Sequence, residues 1–153
     1  MTIVGIISDT HGLLRSEASN RLRGCDIIIH AGDIGSPDVI DQLELVAPVR
    51  AIRGNIDKGA WASAYPHDDV IEIGGKYIYV LHNLAELDLD PAAAGFHVVV
   101  SGHSHQPKIE NKDGILFVNP GSAGPRRFTL PIAIAKLEIE DNEARARIEE
   151  IAA

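Results

Sequence analysis

The chain has 153 residues, 45% hydrophobic and 24% charged, an ordinary composition for one globular domain with a sizeable core. Fourteen basic against twenty-two acidic residues leave a net charge of −8. With no run of Lys and Arg, neither nucleic-acid binding by phosphate neutralisation nor a basic membrane-surface helix is expected.

The predicted elements follow in chain order. Ile3–Ile7, Ile27–Ile29 and Val49–Ile52 are short Ile/Val-rich runs, as expected of strands buried on both faces. Between them, Ser16–Arg23 carries Ala18 and Leu22 on one helical stripe and stops at Gly24. A second helix starts at Pro37 behind an N-cap at Ser36 and buries Val39, Ile40, Leu43 and Val46. Val70–Ile73 and Tyr77–Leu81 flank Gly74-Gly75, which is hairpin chemistry. Asp90–Ala94 predicts one or two helical turns, and Val98–Val100 another strand. Pro107–Glu110 and Ile115–Val118 form a second hairpin around Lys112-Asp113-Gly114. The last strand, Ile132–Ile139, turns at Asp141-Asn142 and returns as Ala144–Ile151. Glu and Ala there also suit a helix, but the turn and the alternation favour a strand. The pattern is α/β, parallel units first and antiparallel strands later, in a single domain over residues 1–153.

No apolar run approaches the ~20 residues of a membrane span. Met1–Ser8 has no basic stretch or cleavage site, so no export signal is read and a cytoplasmic address is expected. The one cysteine, Cys25, admits no internal disulfide and no cysteine metal cage.

Chemistry-bearing residues gather where the strands end. Ser8-Asp9-Thr10-His11-Gly12 follows the first, His30-Ala31-Gly32-Asp33 the second and Arg53-Gly54-Asn55-Ile56-Asp57 the third. Later strands lead into His82-Asn83, Gly102-His103-Ser104-His105 and Asn119-Pro120-Gly121-Ser122. In open α/β sheets that edge binds ligands. Asp, His and Asn without thiolate suit Mn, Fe, Zn or Ni. Composition alone would produce Asp-x-His-Gly, Gly-Asn-x-Asp and Gly-His-x-His about 0.05, 0.04 and 0.03 times, so their joint presence is a strong signal.

This ordered set resembles the calcineurin-like metallophosphoesterase superfamily, closest to its small single-domain bacterial and archaeal phosphodiesterases, over nearly the whole chain. The resemblance implies a four-layer α/β/β/α sandwich with mixed sheets and two divalent metal ions at the strand ends, and the imidazole content of the ligand set makes Mn the expected ion. The resemblance implies one metal on Asp9, His11 and His105, a second on Asn55, His82 and His103, and Asp33 bridging both. A metal-bridging hydroxide would attack a small phosphodiester or phosphomonoester. Asp33, Asn55, His103 and one arginine would carry the catalysis, Arg127 in preference to Arg126 as the phosphate clamp. Two positions depart from the family pattern. Ile56 stands where larger relatives have a proton-donating histidine, and Asn83 replaces the glycine after His82. Asp57 is expected to orient a neighbour.

Blander roles are expected elsewhere: His30 as a buried, hydrogen-bonded core histidine, Trp61 as a packing anchor, Cys25 as a small core residue, and Asp68-Asp69 and Glu149-Glu150 as solvated charge. The alternative to an enzyme is a non-catalytic scaffold of the same fold, like the retromer subunit. Self-association stays open.

Overall fold

In the computed structural model, which describes residues 1–151, two five-stranded mixed sheets face each other. The first has the order β10-β9-β1-β2-β3, where β1 is Thr2–Ile7, β2 Ile27–His30, β3 Val49–Ala51, β9 Ile132–Glu140 and β10 Glu143–Ile151. Its β1, β2 and β3 are parallel, and β9 runs antiparallel to β1. The second has the order β4-β5-β6-β8-β7, with β4 Asp68–Ile73, β5 Lys76–Leu81, β6 Val98–Val100, β7 Lys108–Lys112 and β8 Ile115–Asn119. There β5, β6 and β8 are parallel, and β4 and β7 close the edges antiparallel.

Side-chain alternation assigns the layers. Val4, Ile6, Ile29, Ile78, Val80, Val98, Val100, Val118, Leu137 and Ile139 meet between the sheets. The other face of the first sheet presents Ile7, Ile28, Ile132 and Ile134 to helices α1 (Ser16–Leu22) and α2 (Pro37–Glu44). Ala18 and Leu22 of α1, and Val39, Ile40 and Leu43 of α2, are the buried helical residues. Ser36 caps α2, its hydroxyl accepting the Asp38 N–H at 3.2 Å, and Pro37 occupies the first turn.

Three two-residue hairpins have both loop residues left-handed: Gly74-Gly75, Asp113-Gly114 and Asp141-Asn142. That is the turn whose twist matches right-twisted strands. The return strand forms as expected, paired with β9 along its whole length from Glu143↔Glu140 to Ile151↔Ile132.

The fourth layer is thin. Over the second sheet's outer face lies residues 84–96, a short 3₁₀ turn at Leu84–Glu86 followed by turns. Asp90–Ala94 makes a single i+4 bond, Ala94 N–H to the Asp90 carbonyl at 3.0 Å, and no helix. Pro91 and Gly95 bracket too few residues for the cooperative bonding a helix needs. Leu87, Leu89 and Phe96 still cover Tyr79, Leu81 and Val99.

Glu149 corrects an expectation of plain solvation. It pairs with Lys136 at 3.2 Å, Arg147 at 3.1 Å and Arg21 at 3.3 Å. Asp69 likewise pairs with Arg50 at 2.6 Å, and Asp68 accepts the Tyr79 hydroxyl at 2.7 Å. No helix among the described residues is long and apolar enough to cross a membrane.

Gly5, in the middle of β1, lets α1 approach: a Cβ there would stand 2.5 Å from Leu22 Cδ2 and 3.1 Å from Cys25 Sγ. Leu22 is fully buried and has nowhere to go. Gly5→Ala should therefore lower unfolding stability by about 1–3 kcal/mol, as overpacking does. Urea unfolding in chelator measures it, and an unchanged midpoint would contradict the packing described.

Candidate metal centre

The strand-end motifs meet at the carboxyl edges of both sheets. The segments after β1 and β2 are zipped together by Asp9 N–H to Gly32 O and His11 N–H to Asp33 O, both 3.0 Å. Gly102 N–H to His82 O, at 2.9 Å, does the same for the segments after β5 and β6. The two sheets are then joined at Asp9: its Oδ2 accepts the His103 N–H at 3.0 Å and the Ser8 hydroxyl at 2.7 Å.

With Oδ2 so occupied, Asp9 Oδ1 is left buried with no hydrogen-bond partner among the described residues. Around it stand His105 Nε2 at 3.4 Å, His82 Nε2 at 3.7 Å and His11 Nε2 at 3.9 Å. Asp33 repeats the pattern. Its Oδ1 accepts the Ile56 N–H at 3.2 Å, while Oδ2 faces His82 Nε2 at 3.3 Å and His11 Nε2 at 3.5 Å. Burial opposes ionisation of Asp33, but His82, the Ile56 N–H and His11 outweigh it and hold the carboxyl at about 2.

His82 is oriented from behind. Its Nδ1 lies 2.7 Å from the Ala31 carbonyl and must donate there, which leaves Nε2 as the lone-pair nitrogen facing the carboxylates. Burial lowers its proton affinity, and Asp33, the Ala31 carbonyl and Asp9 raise it by more.

Two groups of potential ligand atoms lie within 4.8 Å of one another: Asp9, His11 and His105, and Asp9, Asp33 and His82. Among the described residues, His11 Nε2 and His82 Nε2, which face the carboxylates, are buried atoms without a hydrogen-bond partner. Such atoms are costly unless something ligates them. Nitrogen and carboxylate donors in this number fit divalent transition metals. His103 is outside both groups. Its exposed ring stands edge-on to that of His82, centroids 5.3 Å apart. Asn55 is exposed on the turn whose next residue, Ile56, donates to Asp33. Arg126 and Arg127, both exposed, line a shallow depression with His11 and His105.

Two glycines make the approach possible. A Cβ on Gly102 would collide with the Ser8 hydroxyl and Asp9, and one on Gly54 with the backbone and carboxylate of Asp33. Five of the seven expected ligands are themselves left-handed: Asp9 (φ 56°), His11 (48°), Asp33 (54°), His103 (72°) and His105 (62°). Non-glycine residues hold such backbones at a cost of roughly 1–3 kcal/mol each, and they concentrate at functional sites.

Asp57, expected to orient a neighbour, and residues given no role from the sequence complete the frame. Asp57 accepts the N–H groups of Ile34, Gly35 and Gly54 at 3.0, 2.9 and 2.8 Å, tying the segments after β2 and β3 together. The Ser122 hydroxyl donates to Asp9 O at 3.0 Å, and Arg15 reaches Gly124 O at 3.3 Å. Trp61 packs under the helical layer, edge to Tyr65, as an anchor.

The matching family model is the calcineurin-like phosphoesterase superfamily domain, over residues 1–142. The chain belongs to that superfamily. A "probable metallophosphoesterase" of Methanothermobacter thermautotrophicus is 30% identical to it, covering 95% of this chain and 91% of that protein. The solved structure of an archaeal phosphodiesterase superposes with a TM-score of 0.81 at 26% identity, over 97% of this chain and 100% of that one. Vps29 of Chaetomium thermophilum shares the fold, with a TM-score of 0.79 at 17% identity over 99% and 97%.

His30 lies behind the centre, fully buried. Gly32 N–H donates to its Nδ1 at 3.1 Å, so Nε2 carries the proton toward Thr10 Oγ1 at 3.0 Å, whose hydroxyl donates to Ile34 O. Burial lowers its pKa to about 4, with Asp9 and Asp57 opposing. The unfolded chain, at about 6.5, takes up a proton that the native state refuses. Stability contributed by neutral His30 is therefore present above pH ~6.5 and falls by up to about 3 kcal/mol as pH drops to ~4. Asp33 acts in a lower window, losing its contribution as pH falls from about 4 towards 2. Urea unfolding from pH 7 to 4 should show a shallower slope for His30→Gln than for wild type. Equal slopes would contradict the assignment.

Proposed function

We propose that the chain is a one-domain, dinuclear metal-dependent phosphodiesterase. What carries the reading is the set of buried atoms left without partners among the described residues around two carboxylates, Asp9 Oδ1, His11 Nε2 and His82 Nε2, with His105 Nε2 facing Asp9 Oδ1 at 3.4 Å. Asp9, His11 and His105 would hold one ion and Asn55, His82 and His103 the other, with Asp33 shared. The imidazole content favours Mn, with Fe, Zn or Ni also suited, over Mg, which prefers oxygen donors and keeps its water. When bound, such ions supply Lewis-acid charge to phosphoryl oxygens and acidify water.

The chain's own residues do the positioning. Asp33 stays ionised across the physiological range and anchors the middle of the site. Arg127, with Arg126 beside it, offers guanidinium donors to phosphate oxygens from the His11/His105 side. The net charge of −8 repels a phosphodiester, so attraction must be local. The substrate is a small phosphodiester or monoester, the setting cytoplasmic, and self-association is compatible with the reading. A non-catalytic scaffold of the same fold is the rival. Vps29 is alike in fold alone.

Protein stripped by chelator should regain hydrolysis of bis(4-nitrophenyl) phosphate with Mn²⁺ more than with Mg²⁺, binding about two ions per chain. His103→Ala should abolish turnover and leave thermal unfolding in chelator unchanged, because an exposed ring leaves no apolar cavity when truncated. No bound metal and no hydrolysis with any divalent ion would overturn the proposal.

Ile56 sets the leaving-group preference. Its side chain is 46% exposed and brings no proton donor, where general-acid help is worth about 10²–10⁴ in rate. Aryl diesters, whose leaving groups depart without a proton, should react far faster than alkyl diesters. Ile56→His should narrow that gap only in part, because Asp57 is engaged by three backbone N–H groups and is not free to orient an imidazole. Rate against leaving-group pKa, in both proteins, is the measurement; a flat wild-type line would reveal another acid.

A further inference from the structure

The outer face of the second sheet is only partly roofed. Leu87, Leu89 and Phe96 cover Tyr79, Leu81 and Val99, with Phe96 stacked on Tyr79 at 5.0 Å between centroids. The cover begins at Leu84. Beside it, Phe117 borders a cavity of about 180 Å³ that reaches Asn83 and His103. Alternation along β8 explains the opening: Leu116 and Val118 are buried between the sheets, so Phe117 and Asn119 face outward.

We propose that this cavity receives the ester substituent of the phosphodiester and selects a single planar ring, of aryl or pyrimidine size. The proposal rests on the phosphodiesterase reading, because His103 belongs to both the cavity wall and the expected ligand set. Size argues for one ring. A cavity of roughly 150 Å³ holds a benzene, and pockets for drug-sized ligands run to roughly 300–1,000 Å³. Chemistry argues for a ring with a polar edge. Leu84 and Phe117 supply apolar wall, and an aromatic face stacks on another at an offset.

The wall also carries Gln106, Asn119 and the Lys108–Glu110 ion pair, 3.3 Å apart, and two further polar side chains stand next to Leu84 and His103. Asn83 Oδ1 is committed to capping the 84–86 turn through the Ala85 N–H at 3.1 Å, and among the described residues its Nδ2 has no hydrogen-bond partner. Ser104 Oγ already accepts from Gln106 N–H at 3.2 Å and Asn119 Nδ2 at 3.1 Å, so its own proton is free to donate. Both groups therefore offer donors to the oxygens or nitrogens of a ring substituent. The departure from glycine at position 83 acquires a purpose: it caps the turn that carries Leu84 and adds a donor at the wall. The arginines stand with His11 and His105, and the cavity with His103, so the phosphate lies between a basic flank and a ring-binding flank.

Calorimetric titration of Mn²⁺-loaded protein with phenylphosphonate and methylphosphonate, neither of which can be hydrolysed as an ester, tests this directly. Wild type should bind the phenyl compound about tenfold tighter or more. Leu84→Ala, at an exposed turn position, should cut that preference to about threefold or less and leave methylphosphonate affinity unchanged. Phe117→Leu, which keeps an apolar side chain on β8, should act in the same direction. Equal wild-type affinities for the two phosphonates, or a preference undiminished in both variants, would overturn the cavity assignment while the phosphodiesterase reading stands. Failure of both phosphonates to bind, together with no diester hydrolysis, would overturn that reading and this assignment with it.

Discussion

Two buried carboxylates, Asp9 and Asp33, each have one oxygen held by the protein and one left to face histidine rings, and the rest of the molecule is arranged around that division. A buried carboxylate is costly unless its charge is met, and two or three N–H or O–H donors meet half of it. For Asp9 those donors come from Ser8 beside it and from the His103 backbone on the opposite sheet. The contact that orients the ligand is thus also a clasp between the sheets. Ser122 adds a second, donating to the Asp9 carbonyl. Such a centre needs backbones that bend sharply at each strand end, and this accounts for left-handed Asp and His residues beside glycines that no side chain could replace.

The surroundings of the centre are unequal, and the inequality gives it a direction. On the His11 and His105 side stand two exposed arginines in a protein that is otherwise strongly acidic. On the His103 side, the thin outer layer leaves Phe117 and Leu84 bordering open space. A helix over that face would have closed it. The turn-rich 84–96 segment covers Tyr79, Leu81 and Val99 and leaves the corner nearest the centre open.

Much of this was legible in the sequence because the signals were local. Short, Ile/Val-rich runs, Gly74-Gly75, Asp113-Gly114 and Asp141-Asn142 specify strands and hairpins within a few residues, and the strand-end motifs bring the metal-ligating residue types in order. What was not legible depends on distant partners. Arg15 finds Gly124 across 109 positions and Ser122 finds Asp9 across 113, with nothing in either neighbourhood to announce the match. Glu149 reads as solvated charge until β10 is laid beside β9, which brings Lys136 to it, and against α1, which brings Arg21. Asp90–Ala94 has helical composition, but its five residues ahead of Gly95 close one i+4 bond and cannot propagate.

Asp57 and Ile56 show how one short motif divides its labour. Asp57 is buried and takes three backbone N–H groups from two different segments, so it holds the turn carrying Asn55 against the one carrying Asp33. Ile56 contributes its backbone N–H to Asp33 and nothing polar from its side chain. Removing the carboxylate at 57 would free three buried or half-buried donors at once, whereas any residue with a backbone N–H serves at 56. A proton donor can therefore be absent from position 56 without disturbing the frame. The acidic residue one position later is bound to the architecture, whatever chemistry its neighbour performs.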